Sequence, residues 1–455
     1  MNGKRTDEML KAAVLILGEE IYPRDFLDGA IESVMTALED MDVEIAAKYI
    51  IMNDADGLCA ERDLKGRDVD LIITAFVSWH ITPNVMHALK HFRDIPILVL
   101  GVGGRTDANG KLVSPAAAAG VTAFVPVLRE MGYKYKVICG KPDEPLRADQ
   151  VKSYLRAVNA AKKVRNARVG LIGYADMGLY TCAYDKTLVF DKLGIDIENY
   201  FSYEITGRMA SAPEDEIRSI ISGIKERMEF ENEITDVTLE KTARLYYAMK
   251  FQSETRRLNA ISIKCVTGVT AFMGFNPCMA QSLLASNELS VICECDAYGL
   301  LTNVILTALT GQASAFMENY EVFDDAVLVG VCGFIPKDFT EGCERIRSAN
   351  LGEAFKGISN VSRVKTGTVT FGRLYQSDGR LKMFVSRGEA CKSPKWTELG
   401  WAEPTPDFPS ILLKLEMPVQ SYLENVPGQH IIMVYGDWLA ELKQLCGLLN
   451  IEVAE

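Results

Sequence analysis

Short β-prone apolar runs alternate with amphipathic stretches through the first third of the chain. Ala12–Leu17, Val43–Ile51, Leu71–Phe76, Ile95–Leu100 and Tyr135–Cys139 read as strands. Phe26–Leu38 and Val85–Phe92 carry helical spacing. Strand and helix in alternation at this size predict a parallel sheet covered on both faces. Val151–Val164 is charged and helical, and reads as a connector. The alternation restarts at Ala167–Ile172, with helices over Lys186–Leu193, Glu214–Arg227 and Leu239–Thr255 and a strand at Ala260–Cys265. Later the texture changes. Ala326–Val331, Thr366–Tyr375, Arg380–Val385, Ile411–Leu415 and His430–Tyr435 are strands at short spacing, and Ser377-Asp378-Gly379 is a hairpin signature. They predict an antiparallel barrel or sheet. The expected fold class is therefore α/β: two parallel-sheet α/β domains, 1–164 and 165–355, then a mostly antiparallel β domain, 356–455.

One stretch organises the rest. Val291-Ile292-Cys293 is apolar and β-prone and runs into Glu294-Cys295-Asp296. Tyr298–Leu309 then has Leu300, Leu301, Val304, Ile305, Ala308 and Leu309 at helical spacing, with Asp296 placed to cap it and Gly311 to end it. Ala313–Met317 reads as a second strand that ends on Glu318. The pattern predicts a β-α-β unit with two parallel strands, each ending on a carboxylate. Ligands of open α/β sheets sit off the carboxyl ends of strands. Two carboxylates there can bind a metal, divide acid and base work, or simply be solvated.

Composition narrows the class. The 455 residues carry a net charge of −12, which argues against a nucleic-acid partner. The eleven cysteines are scattered, mostly in apolar runs, and read as buried thiols of a reducing compartment rather than a disulfide framework. Lys4 and Arg5 precede an apolar run, but two glutamates follow it and no small-residue cleavage site appears, so a signal peptide is not expected. Ala297–Met317 has no charge, yet Thr, Asn, Gln and Ser interrupt it, so it reads as helix plus strand and not as a membrane span. A cytoplasmic protein is expected.

Several strand ends feed loops with functional residue types. Arg24 follows the first strand, Trp79 and His80 follow LIITAF, and Arg105 follows Gly101-Val102-Gly103-Gly104. That last loop lacks the G-x-G-x-x-G order of a dinucleotide site. The loop Gly173–Thr181, with Asp176, Gly178 and Tyr180, fits either a close-approaching ligand or a tight turn. His87 and His91 share a helix face without an acidic partner close in sequence. His430 stands alone after Pro427-Gly428-Gln429. Two carboxylates and one imidazole make a good site for Mn²⁺ or a similar ion.

At these residues the chain resembles the L-fucose isomerase/L-arabinose isomerase superfamily, in its shorter, fucose-isomerase-like branch. The resemblance rests on Ile263-Lys264-Cys265, Cys293–Gly299, Ala315–Glu318, the hairpin Gly367–Gly379 and His430–Trp438. It implies a three-domain aldose–ketose isomerase, assembled as a homotrimer or homohexamer. It implies Mn²⁺, or another divalent metal, held by Glu294, Glu318 and His430, with the two carboxylates as the acid–base pair. It further implies that the first domain caps the substrate of a neighbouring subunit. Substrate-binding candidates are Lys264, Asp296, Asn319, Arg24, Trp79, His80 and Arg105. Two positions depart from the pattern. The fucose branch tends to have aspartate where Glu318 stands. The further histidine of the arabinose branch is missing, with Cys332 near its place.

Isomerisation moves a proton between C1 and C2 of an open-chain sugar. Glu294 is the expected base and Glu318 its partner, in either order. The expected substrate is an unphosphorylated sugar. The alternatives are a sulfonated hexose such as sulfoquinovose, gripped by Arg24 or Arg105; a non-catalytic sugar-binding protein; and a metal-dependent aldolase on the same scaffold.

Overall fold

The computed structural model describes residues 9–144, 146–351, 355–394 and 408–454. Lys4 and Arg5 lie outside the described residues. The chain divides into two compact units, Met1–Lys162 and Lys163–Glu455.

The first unit holds β1 (Leu10–Leu17), β2 (Val43–Ile51), β3 (Leu71–Phe76), β4 (Ile97–Gly101), β5 (Arg105–Thr106), β6 (Leu112–Val113) and β7 (Tyr135–Cys139). Its parallel sheet has the order β2-β1-β3-β4-β7, and β5 and β6 form a short antiparallel ribbon. β3 and β4 are buried throughout because helices cover both faces, which is why they read as unbroken apolar runs. The order of connection reverses between β1 and β3, the switch point of an open sheet. Glycine in the loop after β4 is steric: a Cβ on Gly103 would lie 2.2 Å from the Lys141 carbonyl oxygen.

The second unit begins with β8 (Val169–Ile172), β9 (Ile197–Tyr200), β10 (Met228–Phe230), β11 (Ala260–Ile263) and β12 (Ser290–Cys293). Four of these form a parallel sheet in the order β12-β11-β8-β9. The chain continues through β13 (Ala315–Val322), β14 (Ala326–Gly330), β15 (Glu344–Leu351), β16 (Phe355–Asn360), β17 (Gly367–Ser377), β18 (Arg380–Lys392), β19 (Ser410–Leu415), β20 (His430–Tyr435) and β21 (Glu452–Ala454). Strands β17-β20-β13-β14-β19-β18 follow one another by antiparallel pairing, and β18 pairs back to β17. The sheet thus closes as a barrel, which removes its edges, and β21 adds to β18. β10, β15 and β16 form a small separate sheet. The β17–β18 hairpin turns on Asp378 and Gly379, both in the left-handed region, as its sequence predicts.

The expected parallel β-α-β unit is corrected here. β12 is an edge of the parallel sheet, whereas β13 lies in the barrel between β20 and β14, antiparallel to both. The helix between them, Ala297–Thr310, explains the difference. It packs against β11 and β12 on one side and β17 and β20 on the other, and every residue from Ala297 to Leu306 is buried. A helix apolar all round is buried all round. The chain therefore leaves one sheet, passes through the interlayer and enters the other. The barrel takes strands from Ala315 onward, ahead of the β domain expected from 356. No helix among the described residues is long and apolar enough to cross a membrane.

Candidate active site

Three strand-end loops of the second unit meet at Asp176. Its buried carboxylate accepts the backbone N–H groups of Val266 at 2.7 Å and of Thr267 and Met177 at 2.9 and 2.8 Å. Its own N–H donates to the Glu294 carbonyl at 3.0 Å. These bonds tie the loops after β8, β11 and β12. The loop Gly173–Thr181 is thus a tight turn with a structural acid. Immediately after β12, Glu294 and Cys295 have φ of +65° and +49°. Two adjacent non-glycine residues in the left-handed region store about 1–2 kcal/mol each. Cys295 is held there by its N–H to the Ser262 hydroxyl at 3.0 Å and its thiol to the Ile172 carbonyl. The kink swings the Glu294 side chain inward.

Glu318 sits in the middle of β13, not at a strand end, and is directly opposite His430 of β20. His430 Nε2 is 3.2 Å from Glu294 Oε2. One ligand atom each from Glu294, Glu318 and His430 lies within 4.8 Å of the others. Glu294 Oε2 is buried and makes no hydrogen bond among the described residues. Phe316 packs on the imidazole with ring centroids 4.3 Å apart. Burial, then the Glu294 charge, push the Glu318 carboxyl up to about 7.

The other side of His430 is filled. Nδ1 is 2.7 Å from Asp296 Oδ2. Asp296 also accepts the Gly299 N–H at 3.0 Å, the cap expected from sequence. Both its oxygens accept Arg373 Nη1 and Nη2, at 2.5 and 3.1 Å. Burial opposes ionisation of Asp296, but the guanidinium and the imidazole outweigh it and hold the carboxyl below its usual range. His430 likewise overcomes its burial through Asp296, Cys182 and Glu294, and is held well above an ordinary histidine. Arg373 and Cys182 are absent from the sequence-derived candidates. The one signal was an arginine inside the apolar strand TFGRLY.

This geometry makes the comparisons with known proteins informative. The family described as L-fucose isomerase, C-terminal domain, matches residues 339–455. A sulfoquinovose isomerase of Alkalicoccus urumqiensis is 22% identical over 374 residues, covering 79% of this chain and 80% of that protein. A sulfoquinovose isomerase of Priestia megaterium is 20% identical over 411 residues, 86% of each chain. Both similarities are to proteins of the L-fucose isomerase-like superfamily.

The remaining candidates fall into distinct environments. Lys264 follows the last registered residue of β11, as Glu294 follows that of β12. Its stem runs against Gly173 and Gly268, and its ammonium has no partner among the described residues. Two of the expected substrate contacts already have partners within the chain. Asp296 is wholly buried and occupied by Arg373, His430 and the helix end. Asn319 accepts the Tyr422 hydroxyl at 2.7 Å and donates to the Gln429 carbonyl at 3.1 Å, so its amide braces the barrel.

In the first unit His80 is buried, with Nδ1 2.8 Å from the Gly18 carbonyl oxygen and 3.1 Å from Glu19. Burial keeps its ring below the usual histidine range. It ties β1 to β3 rather than facing solvent. Trp79 is 38% exposed. Arg24 pairs with Asp28 at 3.2 Å, and Arg105 lies over the Phe26 ring. His87 and His91 have acidic partners after all, Asp54 and Glu61, but separate ones.

Proposed function

We propose that the chain interconverts an aldose and a ketose bearing a sulfonate, using a divalent ion such as Mn²⁺ held by Glu294, Glu318 and His430. The observation that carries this reading is the buried Glu294 Oε2, which has no hydrogen bond and faces a second carboxylate and an imidazole nitrogen. Two oxygens and one nitrogen suit Mn²⁺ and leave positions open. When bound, such an ion supplies Lewis-acid stabilisation of charge on the sugar oxygens. Glu294, fixed by the kinked backbone, takes the proton from C2 and returns it at C1. Glu318 moves the hydroxyl proton. The opposite division of labour satisfies the same geometry.

The sulfonate is supported by the names of the relatives, sulfoquinovose isomerases, and by the Lys264 ammonium, which follows the end of β11 and has no partner among the described residues. The three-domain division at 164 and 355, and a homotrimer or homohexamer with exposed Trp79, Arg24 and Arg105 capping a neighbouring copy, belong to the same reading. Assaying Mn²⁺-loaded protein on sulfoquinovose and neutral aldoses tests it. The expected preference in kcat/KM for the sulfonated sugar is at least about 100-fold. Equal turnover of neutral hexoses sinks the sulfonate, two three-carbon products indicate an aldolase, and binding without turnover indicates a sensor. A monomer in light scattering at full activity sinks the shared site.

Metal uptake should depend on pH through Glu318. Its folded pKa, about 7, lies above its unfolded value, so its contribution to metal-free stability is present below the unfolded value and is lost as pH rises through about 7. Binding needs the ionised form, so Mn²⁺ affinity should rise with pH and protons should be released on binding. The charged ring of His430 acts in the same direction. Calorimetry in buffers of different ionisation enthalpy counts the protons. An affinity flat between about pH 5 and 8 removes the assignment.

A further inference from the structure

His430 belongs to two sets of potential ligands. Nε2 lies 3.2 Å from Glu294 and 2.8 Å from the Gln429 amide, and Nδ1 lies 2.7 Å from Asp296; Glu318 joins Glu294 in one set and Cys182 joins Asp296 in the other, each set within 4.8 Å. The second set is fully buried. Its thiol, carboxylate and imidazole are the donors that zinc- or cobalt-class ions favour, so donor chemistry alone would place an ion there first.

Arg373 already occupies the second set. It is 0% exposed, and its guanidinium spans both Asp296 oxygens at 2.5 and 3.1 Å, the Thr181 carbonyl at 2.8 Å and the His430 carbonyl at 3.2 Å. With the Gly299 N–H and the His430 Nδ1–H, it uses every lone-pair direction of Asp296. A guanidinium does not lose its proton in a protein, so this charge is permanent. A divalent ion beside it would meet repulsion in a dry site and a carboxylate with nothing left to give.

We propose that Arg373 is a resident cation that closes the Nδ1 face of His430 to metal ions and so assigns its Nε2 to Glu294 and Glu318. Without Arg373, Cys182, Asp296 and His430 become a thiolate-bearing site for a zinc- or cobalt-class ion, the thiol proton leaving to solvent. The Nε2 half of this statement rests on the metal reading above; the Nδ1 half does not.

Cobalt is the probe, because a thiolate ligand gives it a charge-transfer absorption that oxygen and nitrogen donors do not. Wild-type protein should take up Co²⁺ without that band, and Cys182→Ser should leave its affinity within about twofold. Arg373→Met should gain a second ion together with the band. Arg373→Lys, which keeps a cation in place, should not gain it, and adding Cys182→Ser to Arg373→Met should abolish it. A folded Arg373→Met without the band overturns the proposal. So does a thiolate band in the wild type, or a loss above about tenfold in Cys182→Ser, and these two arms need no folded Arg373 variant. A wild type that takes up no cobalt, beside an Arg373→Met that shows the band, overturns the Nε2 reading and upholds the resident cation.

Discussion

Glu294→Gln should fold, bind a divalent ion more weakly and isomerise roughly 10²–10⁴-fold more slowly. The substitution keeps shape and the left-handed backbone at this position, so the change is one of charge and basicity. A carboxylate oxygen that has no hydrogen bond in the folded chain becomes one end of an amide. An amide cannot take the C2 proton, and it is a poor ligand for a hard ion. The comparison is made at saturating Mn²⁺, so that lost occupancy and lost chemistry separate. Running the wild type in D₂O adds a second reading, since a proton held on a side chain exchanges with solvent. Deuterium at the migrated position supports an enediolate. A Gln variant that binds metal and turns over at the wild-type rate rules out Glu294 as the base.

Asp296→Ala should lose on the order of 3–5 kcal/mol of stability, most of it from leaving Arg373 buried and unpaired. The lost helix cap adds about 1 kcal/mol, not strictly additively. The decisive comparison is Asp296→Ala combined with Arg373→Met. If the stranded charge is the main loss, the double variant recovers part of it, because no cation is left without a partner. Denaturant titration of the single and double variants measures this. A loss below about 1 kcal/mol in the single variant would show that water reaches Arg373.

The acids, the histidine and the cap were legible because each announced itself locally. Glu294 ends an apolar run, Asp296 precedes a helical pattern, and His430 is scarce by type. The partnership of β12 and β13 was not legible. Periodicity identifies a helix and its flanking strands, but pairing is decided by what else competes for each edge. Here β20 and β14 claim β13. Arg373 was hidden for a related reason. Strand alternation gives the face on which a side chain lies but not the distant carboxylate that makes its burial tolerable. Asn319 and His80 carry polar groups suited to sugars, yet the Asn319 amide and the His80 Nδ1 are engaged by neighbours far off in sequence.

The split of the proposed ligand set between two sheets sets the terms of inheritance. Glu294 is delivered by the parallel sheet, and Glu318 and His430 by the barrel. A fragment that stops before Ala313 retains one acid and no partner for it, and the stretch that matches the C-terminal family begins after both acids and holds only the imidazole. Neither sheet can be grafted, duplicated or lost with its chemistry intact. The smallest heritable unit of this centre is both sheets together with the helix buried between them.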